Sequence, residues 1–341
     1  VGRNAGEFAV RAVHLVPYDA VGGVEVAARS IADGTYDDLT FSRLYIADKQ
    51  RNESENQPGV YFRALGRLLR LKPDLVIASL WRCCALVLIY KLLRPKAKVV
   101  TFLHLAHCVH FPDFIFNHLA MLISDEIWAD SQTTLTARVP RRLRSKSKVI
   151  SFLVERSDEV APRQPFPNFV FWGRLHSQKG LGRAIRLFSQ LHDMIPAAKF
   201  SVIGPDGGEL AGLESQIREA GIKQVDFLGS MDREDIFDLS RRFSFYLQTS
   251  VDEGMAMSVV EAMQLGLVPV VTPVGEIPRY CQDGHNAVLV HDDESAVRSV
   301  LRLLDDPEEY QRLSRNAIQT WQDKPLYRDD VLEACRHVLA V

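Results

Sequence analysis

The sequence predicts an α/β protein built from two open parallel sheets, and three observations predict it. Short β-branched runs alternate with helix-patterned segments along the whole chain, the order of βαβ units. The runs are almost continuously apolar, as strands covered on both faces must be. The series also starts afresh after a proline-rich stretch, APRQPFP at 161–167. The 341 residues therefore divide into two ordinary domains, each long enough to bury its own core.

The first series opens with AVRAVHLVP (9–17) as a strand, a turn at Gly22-Gly23, and a helix over VEVAARSIADG. DLVIAS (74–79), KVVTFLH (98–104) and EIWADS (126–131) are further buried strands. The second series runs NFVFWG (168–173), KFSVIG (199–204), QVDFLG (224–229), FSFYLQ (243–248) and LVPVVT (267–272), with helices from about 180 and 209. Gly173, Gly204 and Gly229 each close a strand where the chain must turn sharply. The last stretch, YRDDVLEACRHVLAV, reads as a helix that can cap either domain. A crevice between two such sheets gathers the carboxyl ends of both sets of strands, where ligands bind in open α/β folds.

Composition narrows the classes. Apolar residues make up 47% and charged residues 25%, the mixture of a soluble globular protein, and the net charge of −2 gives no global reason to expect nucleic acid as a partner. The five cysteines, 83, 84, 108, 281 and 335, form no CxxC pair and no metal-ligand spacing. An odd, sparse set fits buried thiols in a reducing compartment. No signal peptide or membrane span is read, since the most apolar segment, ALVLIY at 85–90, is far too short. The expected location is cytoplasmic.

The chemistry-bearing candidates fall at strand ends. In GRLHSQKG (173–180), Arg174 and Lys179 flank a turn after a buried strand, placed to converge on one polyanion; the alternative is two solvated cations. VIGPDGGELAG (202–212), with Gly204, has the glycine content for backbone to approach a phosphate or ribose. In DEGMAMSVVEAM (252–263), Gly254 permits a tight turn and a helix starts near Met257 or Ser258. Glu253 then sits in the loop and Glu261 about one turn inside the helix, able to meet vicinal ribose hydroxyls. The amides between them are free at the helix start for a phosphate or sugar hydroxyl. Glu261 is set in an otherwise mostly apolar helix, where an unpaired carboxylate is expensive. In the first half, Gly23 follows the first strand and His104 ends VVTFLH, pointing from the carboxyl edge into the crevice. His107 and His110 follow at spacing three, but without a shared face or an HExxH pattern, so one functional histidine and no metal is the plainer reading.

These elements, in order, resemble the retaining GT-B glycosyltransferases of family 4: VGGVEVAA (21–28), TFLH (101–104), GRLHSQKG, VIGPDGG, EGMAMSVVEAM, GLVPVVTPVGEIP (266–278) and DGHNAVLV (283–290). The resemblance covers most of the chain, and its two-glutamate EX7E pattern is specific in this context. It implies GT-B architecture, two Rossmann-like domains facing each other across a deep crevice. The implied division is an acceptor-side domain (1–155), a nucleotide-sugar domain (156–322) and a final helix (323–341) crossing back onto the first domain. Gly23 would approach donor phosphates or acceptor, and His104 the transferred sugar. Arg174 and Lys179 would grip the diphosphate of a UDP-, GDP- or ADP-sugar, with Gly204 among the donor-binding positions. Glu253 would hold sugar hydroxyls, with Gly254, Met255, Ala256 and Met257 near sugar or phosphate, and Glu261 the ribose. The implied reaction is retaining transfer of a hexose (EC 2.4) to a glycan, lipid-linked or natural-product acceptor, with no cofactor and no metal required. The leaving diphosphate must be neutralised while positive charge develops at the sugar carbon.

Several positions depart from the family pattern. The usual asparagine-glycine turn after the linker strand is replaced by VISFLVERSD, Glu276 and Arg279 stand where a second glycine and a glutamate are common, and Met255-Ala256 replaces Phe-Gly. They leave the scaffold intact and the donor open. Two basic runs of the first half, YFRALGRLLRLK (61–72) and RVPRRLRSKSK (138–148), raise a peripheral contact with anionic membrane against the plainer reading of solvated cations over packed leucines. Such a contact would lie on the inner face of the membrane and favour a lipid-linked acceptor. The alternatives of another kind are a GT-B nucleotide-sugar epimerase, which needs no acceptor, and a non-catalytic glycosyltransferase-like subunit.

Overall fold

In the computed structural model, which describes residues 10–19, 23–48, 53–157 and 164–340, the chain clusters into two units. Residues 1–155 with 325–341 form the first, and 156–324 the second. Gly22 and residues 161–163 of the proline-rich stretch lie outside the described residues.

The first unit contains β1 (Val10–Tyr18), α1 (Gly23–Arg29), β2 (Gly34–Tyr36), β3 (Leu39–Ala47), α2 (Pro58–Leu71), β4 (Leu75–Ser79) and α3 (Leu80–Leu93). β5 (Lys98–Leu103), α4 (Phe111–Ile123), β6 (Glu126–Ala129), α5 (Gln132–Arg138) and β7 (Ser147–Val149) follow. Its seven strands lie in the order β2-β3-β1-β4-β5-β6-β7, parallel except for the antiparallel edge strand β2. The β2–β3 hairpin has no counterpart among the expected strands. β3, LTFSRLYIA, alternates buried with half-buried residues, so it lacks the continuous apolar run that marks its neighbours.

Alternation along the strands assigns the two faces. Val13, Leu15, Val76, Ala78 and Val99 point to one side and pack on Val60, Ala64 and Leu68 of α2, Leu86 and Tyr90 of α3 and Ala120 of α4. Phe102, three residues beyond Val99, faces the other side. There the last helix of the chain, α13 (Tyr327–Ala340 in sequence order), brings Tyr327 against Phe102 and Phe152 at ring distances of 6.3 and 5.2 Å. The Tyr327 amide donates to the Leu153 carbonyl, and Asp330 accepts from the Ser151 amide.

The second unit holds β8 (Asn168–Trp172), α6 (Leu181–Met194), β9 (Lys199–Ile203), α7 (Leu210–Glu219), β10 (Val225–Gly229), α8 (Arg233–Ser240) and β11 (Phe245–Gln248). α9 (Met257–Gln264), β12 (Val268–Val271), α10 (Ile277–Tyr280), β13 (Val288–Leu289), α11 (Asp293–Asp305) and α12 (Pro307–Gln322) complete it. The sheet order is β10-β9-β8-β11-β12-β13, every pair parallel. Five expected strands of the second series correspond to β8, β9, β10, β11 and β12. At the ends of β8 and β9 the backbones meet so closely that a Cβ on Gly204 would lie 1.9 Å from the Gly173 carbonyl oxygen. Only glycine fits there.

The basic runs separate in character. The first is α2, with Leu68 buried, Leu65 and Leu69 packed on the core, and its cations outward. The second is largely consumed by the unit's own backbone: Arg138 donates to the Leu105 and His107 carbonyls, Arg144 to Thr136, Lys146 to Ser124, and Lys148 pairs with Asp330.

Candidate functional site

β8 and β11 are neighbours in the second sheet, so the loops leaving their carboxyl ends must meet. The meeting is tight. Gly180, at φ +63°, sits where a Cβ would lie 2.0 Å from the Thr249 carbonyl oxygen. Thr249 Oγ1 donates to the Gly180 carbonyl at 2.7 Å, and the Val251 amide to Gln178 at 2.9 Å. This clasp fixes the single turn of 3-10 helix at Ser177–Lys179 against the loop that carries Glu253.

Lys179 Nζ thereby reaches Glu253 Oε1 at 2.7 Å. The same carboxylate oxygen accepts from Gln248 Nε2 at 2.9 Å and Ser250 Oγ at 2.7 Å. Glu253 is only 5% exposed, so its charge is held by one cation and two neutral donors rather than by water. Lys179 has three N–H bonds and spends one on Glu253, leaving two for a ligand.

The loop after Glu253 is pinned from behind. Gly275, at φ +59°, lies where a Cβ would be 2.0 Å from the Glu253 carbonyl oxygen. The Glu276 amide donates to the Gly254 carbonyl and the Tyr280 hydroxyl to the Met255 carbonyl. With Gly254 and Met255 so held, the chain enters α9 through Ala256 in the left-handed region, φ +52° and ψ +63°. That conformation is costly for a residue with a Cβ. Among the described residues, no acceptor is found for the amides of residues 254–258, so these N–H groups are open at the start of α9.

Glu261, on α9, is anchored at both oxygens. Trp172 Nε1 donates to Oε2 at 2.9 Å, and Arg233, the first residue of α8, approaches Oε1 at 3.4 Å with its guanidinium over the Phe237 ring. Each carboxylate oxygen can accept more than one hydrogen bond, so these contacts orient Glu261 without excluding hydroxyl donors. Arg174 follows β8, exposed, its Cγ 3.1 Å from where a Gly207 Cβ would lie. The structure therefore brings Lys179 and Glu253 into contact and sets Gly254, Met255, Ala256 and Met257 between Glu253 and Glu261. It places Arg174 and Gly204 at the ends of β8 and β9. A cavity of about 610 Å³ opens beside this cluster, walled by Gly180–Arg183, Thr249–Val251 and Thr272–Val274 rather than by either glutamate.

In the first unit, Gly23 is the exposed first residue of α1. His104 follows β5 and is buried against Phe102 and Phe152, at 4.3 and 5.6 Å between ring centres. Its Nε2 lies 2.9 Å from Ser79 Oγ, and the same hydroxyl lies 2.8 Å from Nε2 of a second buried histidine, His14. Burial lowers the pKa of both imidazoles to about 3, helped at His104 by His14 and at His14 by Arg43, so both are neutral. A hydroxyl has one proton, so Ser79 donates to one ring and accepts from the other, and the two rings hold opposite tautomers. Neither Nδ1 has a hydrogen-bond partner among the described residues, and both are buried. His104, expected to point from the carboxyl edge of its strand, lies 6% exposed with its Nδ1 buried. His110 instead caps α4, its Nδ1 accepting from the Asp113 amide. Among the described residues no three His, Cys, Asp or Glu side chains are grouped to hold a metal ion.

Sequence reasoning missed Ser79, His14, Trp172, Arg233, Gln248 and Ser250. Trp172, Gln248 and Ser79 are the last residues of their strands, and that position was their only signal. Arg233 reaches Glu261 from the start of α8 and carried none.

Comparison with known proteins concentrates on the same unit. The family described as glycosyl transferases group 1 matches residues 155–320. Trehalose synthase of Pyrococcus horikoshii is 29% identical over 173 residues, 48% of this chain and 40% of that protein. Alpha-monoglucosyldiacylglycerol synthase of Acholeplasma laidlawii is 24% identical over 164 residues, 48% and 40% of the two chains. The chain thus spans about two fifths of the length of these curated relatives. The solved structure of Anabaena HepE in complex with UDP superposes with a TM-score of 0.80 at 19% identity, covering 97% of this chain and 100% of that one. Sucrose-phosphate synthase of Thermosynechococcus elongatus gives 0.75 at 13% identity, covering 96% and 98%. The two Rossmann-like α/β units are those of GT-B architecture.

Proposed function

We propose that the protein is a glycosyltransferase (EC 2.4) that moves a hexose from a nucleotide sugar to a sugar-containing acceptor with retained anomeric configuration. The observation that carries this reading is the Lys179–Glu253 pair at the carboxyl ends of β8 and β11, followed by open amides and, about one turn into α9, Glu261. It lies within the residues that match glycosyl transferases group 1.

In this reading the two remaining Lys179 N–H bonds and Arg174 neutralise the departing diphosphate, assisted by the amides at the start of α9. Glu253 accepts from hydroxyls of the transferred sugar while it stays paired with Lys179. Glu261, oriented by Trp172 and Arg233, takes the ribose. Gly204 and Gly23 let backbone approach the donor, and His104 borders the sugar. Charge neutralisation falls to side chains rather than to a metal. The location is cytoplasmic, and the acceptor a glycan, a lipid-linked sugar or a natural product.

A calorimetric screen of UDP-, GDP- and ADP-sugars, with and without magnesium, tests the reading. UDP-glucose comes first, because a solved structure of Anabaena HepE holds it. One donor binding selectively, without magnesium and at least about tenfold more weakly to Glu261→Ala, is the expected result. Binding of none by folded protein overturns it and favours a non-catalytic subunit. Release of free sugar and nucleotide at full rate without acceptor favours an epimerase.

A further inference from the structure

The helices of the first unit carry an outer surface that the catalytic reading does not use. Among the described residues, ten of the fourteen exposed large apolar side chains fall between Phe62 and Leu122, most of them on α3 and α4. On α3, Ile89, Leu92 and Leu93 form an i, i+3, i+4 stripe on the face turned from the sheet, Leu92 being 83% exposed. On α4 the inward residues are Asp113, Asn117, Ala120 and Met121, which leaves Phe111, Phe114, Leu119 and Leu122 outward. A helix packed on a sheet normally shows water its polar side. These two show it leucine and phenylalanine.

The stripes belong to one surface. α3 and α4 run side by side: Trp81 stacks on Phe116 at 5.9 Å, Cys84 Sγ meets Asn117 Oδ1 at 3.2 Å, and Lys91 meets Asp125 at 3.5 Å. Contacts thus advance together along both helices. The charges around the patch are mostly positive, and Asp125, just beyond α4, is paired with Lys91 and Lys98. From Pro58 to Ser124 the chain has nine lysines and arginines against two aspartates. Of those two, Asp113 is buried and Asp74 accepts from the Arg11 amide. Arg70 and Lys72 end α2 on one side, and Arg94 and Lys96 follow α3.

We propose that the outward faces of α3 and α4 dock on an anionic lipid bilayer and insert their apolar side chains into its interface. An apolar patch rimmed by cations meets both demands of that surface, acyl chains below and negative headgroups at the edge. A second copy of the chain would bring the same cationic rim against itself, since a two-fold interface pairs like with like. With 13 and 14 residues the helices measure about 20 Å, so they lie along the interface rather than cross it, and no helix among the described residues is long and apolar enough to span. The membrane contact therefore shifts from the two basic runs: α2 supplies part of the rim, and in 138–148 Arg138, Arg144, Lys146 and Lys148 are tied to groups of their own unit. The proposal rests on the first unit alone and stands or falls apart from the catalytic reading.

Vesicle flotation tests it with the 341-residue chain and two lipid mixtures, pure phosphatidylcholine and phosphatidylcholine with a quarter phosphatidylglycerol. Binding to the anionic vesicles is expected. Leu92→Asp with Phe114→Asp should weaken it at least about tenfold, and Arg70→Glu with Lys96→Glu about tenfold or more. Both pairs are exposed, and an unchanged circular dichroism spectrum and Tm establish that they fold. Bromine-labelled acyl chains should quench the tryptophan of L92W, which places the face below the headgroups. No flotation with either mixture, or flotation unaffected by Leu92→Asp with Phe114→Asp, overturns the proposal. A dimer by light scattering that the same pair dissolves, without vesicle binding, overturns it in favour of a second copy.

Discussion

The two units share a design, a parallel sheet with its strand ends gathered at one edge, yet they hold polar groups at that edge in opposite ways. In the second unit the edge is ionic: Glu253 is paired with Lys179 and two neutral donors, and Glu261 is held by Trp172 and Arg233. In the first it is neutral: Ser79 bridges two uncharged imidazoles whose other nitrogens are buried without partners among the described residues. A paired carboxylate loses much when either partner is removed. A buried neutral imidazole is indifferent to salt but sensitive to acid. The same scaffold therefore makes one unit vulnerable to mutation of single charges and the other to pH.

The comparison breaks most visibly at Glu253. Glu253→Ala should lower sugar transfer about a thousandfold and destabilise the second unit by about 3 kcal/mol, because Lys179 loses its buried partner. Urea unfolding and a product assay read the two effects, and unchanged values in both would remove Glu253 from the centre of the site. Acid should act on the first unit. Unfolded histidines bind protons from pH 6.5 downward, whereas the folded His14 and His104 do so only near pH 3. Stability is then complete above pH 6.5 and falls as pH drops through that window, by up to about 1.4 kcal/mol per pH unit for each ring. Urea midpoints between pH 7 and 5 measure the slope, and H14Q should halve it. A midpoint that does not move would mean that the folded rings take up protons as readily as the unfolded ones.

Smaller effects sharpen the contrast. Arg233→Ala removes a cation from beside Glu261 and should weaken nucleotide-sugar binding about fivefold while leaving the thermal midpoint within about a few degrees, as calorimetry and a melting curve would register. Ala256→Gly should relax the left-handed entry to α9 and stabilise the second unit by about 0.5–1 kcal/mol. A loss of stability there would show that the Ala256 side chain, buried in this loop, contributes more by packing than it costs in backbone strain.

The eight-residue spacing of Glu253 and Glu261, with Gly254 between, was legible because a loop followed by a helix is a local object whose geometry follows from 3.6 residues per turn. Strand runs such as NFVFWG and LVPVVT were legible for a similar reason: burial on both faces leaves an unbroken apolar signature. β3 was not, since its alternating residues blend with loop composition. The family pattern marks Met255-Ala256 as a departure, but that Ala256 occupies the left-handed region is a consequence of the clamp from Gly275, Glu276 and Tyr280.

By itself, then, the sequence determined the two α/β halves, the strand ends that carry polar residues, and the order of Lys179, Glu253 and Glu261 along the chain. Only tertiary structure decided which of them touch. Lys179 meets Glu253 across 74 positions because β8 pairs with β11 and Gly180 lets their loops close. His104 turns inward because Ser79 and His14 converge on it from neighbouring strands. The leucines of α3 and the phenylalanines of α4 read as core in one dimension, but a helix over a sheet has only one face to bury, and two apolar helices side by side leave the other in the open. Periodicity says that a residue is apolar; which way it points is set by the sheet beneath it.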